Sequence, residues 1–74
     1  MRLLFSNDNP FILMASRAIA EKYFGEIVST ENGLEALQEV QNHPPSYFDV
    51  IILDINMPVM GGVEACERIK AHFK

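Results

Sequence analysis

Short apolar runs alternate along the chain with longer stretches whose apolar residues return at helical spacing, and polar or Gly/Pro residues punctuate the joins. Leu3-Leu4-Phe5 reads as a first strand that gives way to a polar loop from Ser6 to Asn9. Pro10 stands where a helix would open, a position at which its missing N–H is no loss. From Phe11 to Phe24, apolar residues at 11, 15, 18, 19 and 23 trace one helix face, and Gly25 is placed to close that helix in the left-handed conformation.

The rhythm then repeats. Ile27-Val28-Ser29-Thr30 is rich in β-branched residues and reads as a second strand, with Glu31-Asn32-Gly33 as its turn. Leu34, Leu37 and Val40 mark a short amphipathic helix that Pro44-Pro45 would end. Val50-Ile51-Ile52-Leu53 is continuously apolar, as in a parallel strand covered on both faces, and Asp54 terminates it. After a loop from Ile55 to Gly62, a last helix carries Val63, Cys66, Ile69 and Phe73 on one stripe. Such a β-α-β-α-β-α order predicts an α/β fold with a parallel sheet and right-handed crossovers. Ligands of these sheets bind beyond the carboxyl ends of the strands.

Length limits what this pattern can build. A chain of 74 residues forms one small domain, and domains of this size bury only about 60% of the surface that the unfolded chain exposes. Cys66 is the only cysteine, so an internal disulfide is ruled out and no structural zinc motif is present. A reduced, cytoplasmic setting is expected. Ten acidic against six basic residues give a net charge of −4, which argues against a nucleic-acid partner for this segment. Ser6-Asn7-Asp8 cuts the opening apolar run far short of a signal-peptide core, and no stretch approaches the roughly 20 residues that cross a bilayer.

Against this background the acidic residues carry the chemistry. Asp8 follows the first strand and Asp54 ends the third, so if those strands are neighbours both side chains meet at one sheet edge. Mg²⁺ favours a site with one or two carboxylates, a carbonyl and retained waters, and a carboxylate beside it can act as a nucleophile toward phosphorus. Each acid also has a plainer reading. Asp8 suits helix-start chemistry ahead of Pro10, and Asp54 could be capping or paired. His43 and His72 read as solvated residues, Cys66 as helix core, and Phe11, Tyr23 and Phe24 as packing.

The stretch from Leu53 to Ala65, Leu-Asp-Ile-Asn-Met-Pro-Val-Met-Gly-Gly-Val-Glu-Ala, resembles the phosphoacceptor segment of two-component receiver domains, particularly those fused to hybrid sensor histidine kinases. Asp8-Asn9-Pro10 resembles the family's acidic loop, and Glu31 to Leu37 its second-helix entry. This resemblance implies a flavodoxin-like receiver fold with strand order 2-1-3, of which residues 1–74 would be the N-terminal part, the fourth and fifth βα units being absent. It implies that Asp54 accepts a phosphoryl group from a phosphohistidine on a histidine kinase or histidine phosphotransfer protein. It further implies Mg²⁺ held by Asp8, Asp54 and the Asn56 backbone carbonyl, with Asn7 contributing through water. Met57-Pro58 would shape the loop, and Gly62 would open the last helix. On this reading the chain is a signalling module rather than an enzyme.

Several departures matter. Where the family usually has two adjacent acids the first position is Asn7, which removes a charge and should weaken Mg²⁺ binding. Gly61 replaces a common Asp. The Ser/Thr and Lys that the family places after its fourth and fifth strands have no counterpart here. An aspartyl-phosphate hydrolase would need a second Asp where Asn56 stands. In the 2-1-3 order, Val50–Leu53 would be an edge strand without the charge or proline that usually protects one. A longer polypeptide, a partner chain or self-association through this strand would each answer that, and a receiver acting as a non-phosphorylated interaction module remains the alternative.

Overall fold

The computed structural model describes residues 1–73. In chain order the elements are β1 (Arg2–Ser6), α1 (Pro10–Ala20), β2 (Glu26–Thr30), α2 (Gly33–Gln41), β3 (Val50–Leu53) and α3 (Gly62–His72). The sheet is three-stranded, wholly parallel, and ordered β2-β1-β3. Leu4 pairs with Val28 on one side and Ile51 on the other, while Ser6 pairs with Thr30 and Leu53. The flavodoxin-like order expected from the sequence is therefore the order found.

Alternation along the strands sends residues to two unlike faces. Leu4 joins Ala36, Leu37 and Val40 of α2, Met60 of the following loop, and Ala65 and Ile69 of α3 in a single buried cluster, with Val28, Ile51, Leu53 and Phe48 packed at its margin. Leu3, Phe5 and Ile27 turn the other way, toward Leu13, Ser16 and Ala20 of α1. No residue of α1 is buried.

Several sequence expectations are corrected here. α1 ends at Ala20, the chain turning through Glu21–Tyr23, and Gly25 does not adopt a positive φ. Phe11 is 79% and Tyr23 74% exposed, so neither packs. The buried stripe of α3 runs through Gly62, Ala65 and Ile69, whereas Val63 and Phe73 are exposed and Cys66 is only half-buried. His43 is not simply solvated: its Nδ1 lies 2.8 Å from the Glu39 carbonyl oxygen and its ring stacks on Tyr47 at 3.9 Å. Arg2 covers the same Tyr47 ring at 4.2 Å and donates to Glu26 at 2.8 Å. That hydrogen bond holds the Glu26 carboxyl below its usual range.

Core and surface should respond very differently to truncation. Leu4 is 0% exposed, so Leu4→Ala should cost about 2–5 kcal/mol, enough to unfold much of a domain this small. Phe11→Ser should stay within about 0.5 kcal/mol in urea denaturation; a large loss there would mean that α1 is covered in solution. Because the Glu26 carboxyl is lowered, its contribution is complete above the ordinary carboxylate range and is lost as pH falls through the lowered value. The melting difference between wild type and Glu26→Gln should therefore shrink on acidification, and a difference constant with pH would contradict the pairing.

Candidate functional site

The carboxyl end of β1 is tied on both sides. Asn7 N–H donates to the Thr30 carbonyl at 3.1 Å, and Asp54 N–H donates to the Ser6 carbonyl at 3.0 Å. Parallel pairing thus makes the loops after β1 and β3 adjoin, and Asp8 lies in the first while Asp54 opens the second. Asp8 is exposed and Asp54 half-buried.

The plainer roles for these acids are taken by other residues. Asn9, not Asp8, caps α1: its Oδ1 accepts from Phe11 N–H at 2.9 Å and Ile12 N–H at 3.4 Å. Asn7, 8% exposed, accepts the Asn9 N–H on its own Oδ1 at 2.9 Å and so folds the turn that presents Asp8. The N-cap of α3 is Gly61, so Asp54 caps nothing there. Among the described residues, neither the Asp8 nor the Asp54 carboxylate accepts a hydrogen bond or pairs with a cation. Asp49 shows the contrast, its Oδ2 accepting the Arg2 N–H at 2.7 Å.

The loop after Asp54 is held by backbone contacts. Gly62 N–H donates to Ile55 O at 3.0 Å, and Gly33 N–H at the start of α2 donates to Met60 O at 2.9 Å. Met60 N–H reaches back to Pro58 O at 2.7 Å across Val59, which has φ 66°. This is the rare, positive-φ γ-turn, in which a β-branched residue is strained. Two glycines are required by close approach. A Cβ on Gly62 would collide with the Asp54 carbonyl oxygen, and one on Gly33 with that of Met60.

The donor set bears on which ion fits. Among the described residues, no three His, Cys, Asp or Glu side chains gather as a metal cluster. At most two carboxylates with main-chain or amide oxygens are on offer, a set suited to Mg²⁺ that keeps several waters and unsuited to zinc. Asn56, two residues beyond Asp54, is exposed. The fold therefore brings together the loops that carry Asn7, Asp8, Asp54 and Asn56. Sequence reasoning missed Ser6, whose hydroxyl donates to Asn32 O at 3.0 Å. The only signal available was a polar residue at the end of an apolar strand.

The chain is thus an open parallel α/β sheet with Asp8 and Asp54 in the loops at the carboxyl ends of adjacent strands, the edge at which such sheets bind their ligands. The family model of the response regulator receiver domain matches residues 3–74, and the chain belongs to that family, the receivers of two-component signalling systems. It is 32% identical over 69 residues to the peroxide stress-activated histidine kinase mak3 of Schizosaccharomyces pombe, covering 93% of this chain and 3% of the kinase. Among solved structures it resembles the N-terminal domain of an uncharacterized Wolinella succinogenes protein (TM-score 0.88, 32% identity), covering all of this chain and 57% of that one. It also resembles a chain of the CheX-CheY-BeF3-Mg²⁺ complex of Borrelia burgdorferi (TM-score 0.81, 27% identity), covering 97% of this chain and 54% of that one. The chain thus spans little more than half of these structural neighbours and a small part of the kinase. Among the described residues, no helix is long and apolar enough to cross a membrane.

Glycine substitutions test the loop. Gly62→Ala and Gly33→Ala should each cost about 1–3 kcal/mol, the scale of overpacking. Gly25→Ala, which meets nothing within 4 Å, should be close to neutral. Equal melting temperatures for all three would refute the close approach of Asp54 and Met60 to these glycines.

Proposed function

We propose that Asp54 is the phosphoryl acceptor of this receiver, with Asp8 and the Asn56 main-chain carbonyl joining it in a Mg²⁺ site and Asn7 acting through water. The observation that carries the reading is the pair of carboxylates on adjoining loops, without protein partners among the described residues, beside strand ends fixed by the Asp54 N–H to Ser6 O bond. The donor would be a phosphohistidine on a histidine kinase or histidine phosphotransfer protein. An Asp54 oxygen attacks phosphorus in line, the bond between phosphorus and imidazole nitrogen breaks, and the nitrogen keeps the electron pair. When bound, Mg²⁺ would neutralise charge on the transferring phosphoryl oxygens. The half-burial of Asp54 limits the water that competes for its carboxylate, and the exposure of Asp8 leaves that side open to a hydrated ion.

On this reading the chain is a cytoplasmic signalling module made of the first three βα units of a receiver. It is not an enzyme beyond promoting its own phosphorylation and dephosphorylation. Asn7 favours a second reading, a docking module without phosphoryl chemistry, because its amide oxygen is engaged by Asn9 N–H and brings no negative charge to the site.

One titration separates the two. Addition of Mg²⁺ and beryllofluoride should move backbone NMR signals at Asp8, Asp54 and Asn56, and Asp54→Asn should abolish the beryllofluoride response. Asn7→Asp should tighten Mg²⁺ roughly tenfold, since ligand charge sets affinity in such sites. A wild-type spectrum unmoved around Asp54 would sink the phosphoacceptor reading and leave the docking module.

A further inference from the structure

Ser6 is a residue that the proposed chemistry does not use, yet it contacts Asp54, Asn32 and Met57, three parts of the site's framework. It is 0% exposed at the end of β1. Its carbonyl oxygen accepts the Asp54 N–H at 3.0 Å. Its hydroxyl donates to the carbonyl of Asn32, the N-cap of α2, at 3.0 Å, and the same oxygen lies 3.2 Å from the Met57 sulfur. The hydroxyl has one proton, and a carbonyl is a stronger acceptor than a thioether, so the proton is committed to Asn32 while the sulfur packs against the oxygen.

The consequence follows from chain connectivity. Asp54 and Met57 bracket Ile55 and Asn56, and Ser6 grips both ends of that segment, one through main chain and the other through side chain. The Asn56 carbonyl lies in the peptide plane that Met57 continues, so holding the Met57 side chain limits rotation of that plane. A buried apolar residue at position 6 could supply the first grip but not the polar contact that sets the second against α2.

We infer that Ser6 is a positioning residue for the metal and phosphoryl site, locking the Asp54–Met57 segment to the start of α2 so that the Asn56 carbonyl is held beside Asp54. This rests on the phosphoacceptor reading. Groups that orient metal ligands without touching the metal typically change affinity by about 10–100-fold when removed.

The test is a Mg²⁺ titration of the 74-residue chain followed by backbone NMR, with thermal melts run alongside. Ser6→Ala should weaken Mg²⁺ at least about tenfold. Met57→Leu, which keeps the volume and leaves the Ser6 bond to Asn32 in place, should weaken it less and with little change in melting temperature. The double variant should bind no more weakly than Ser6→Ala alone, because both changes break one linkage. Wild-type Mg²⁺ affinity in Met57→Leu and in any folded Ser6→Ala would overturn the inference while leaving the phosphoacceptor reading intact. Fully additive losses would also overturn it. A wild-type chain that gives no Mg²⁺ response would overturn both.

Discussion

The pairing of β1 with strands on both of its sides is the constraint from which the rest follows. Because the sheet is parallel, all three carboxyl ends lie along one edge, and the loops leaving β1 and β3 have no choice but to adjoin. The last rungs of the ladder run past the assigned strands, through Asn7 N–H to Thr30 O and Asp54 N–H to Ser6 O. The Asp54 backbone is therefore set by the sheet itself and Asp8 follows directly on the last rung at Asn7, while among the described residues both carboxylates remain free of protein partners. A reactive or metal-binding carboxylate needs that combination, a rigid base with an uncommitted head.

Packing is unevenly distributed around this sheet. The face covered by α2 and α3 holds the buried cluster, and the site's framework belongs to that face through Ser6, Asn32, Met57 and Met60. The α1 face holds no buried helix residue, and it leaves Phe11, Met14 and Ile19 exposed. β3 is an apolar edge with Ile52 45% exposed. In one antiparallel register of two copies of β3, centred between Ile51 and Ile52, Asp49 would stand opposite Asp54 at both ends, and like charges directly opposite are destabilising.

The strands and the placement of Asp8 and Asp54 on adjoining loops were legible in the sequence for the same reason, namely that both are local patterns read through a topological rule. The run Val50–Leu53 matches β3 residue for residue, and the acids that follow β1 and β3 needed only the parallel order to be brought together. Helix ends and faces were less legible. Apolar spacing continues through Tyr23 and Phe24 after the backbone has left α1 at Ala20, and periodicity says which face is apolar without saying whether anything covers it. In α3 the buried small residues are Ala65, whose Cβ approaches Gly33 of α2, and Gly62, which lies against the Asp54 carbonyl, while the larger Val63 is exposed, because close approach selects for size as much as for hydrophobicity. Ser6 was invisible because its partners lie 26 and 51 residues away.

Asn7 shows how one amide can serve structure and electrostatics together. Three carboxylates on two adjoining loops would repel one another without a cation, and an ion would have to offset that repulsion before any net gain. With Asn7 in the first position the turn is kept, since its Oδ1 accepts the Asn9 N–H as a carboxylate would, but one negative charge is gone from a residue that is nearly buried. On the proposed Mg²⁺ reading, this would favour the ion-free loop relative to the ion-bound one, exchanging cation affinity for a turn held by its own hydrogen bond. On the same proposal, Asp8 and Asp54 would be the acids available to an ion among the described residues, so the placement of neutral oxygens such as the Asn56 carbonyl would carry more of the selectivity than in a three-carboxylate site.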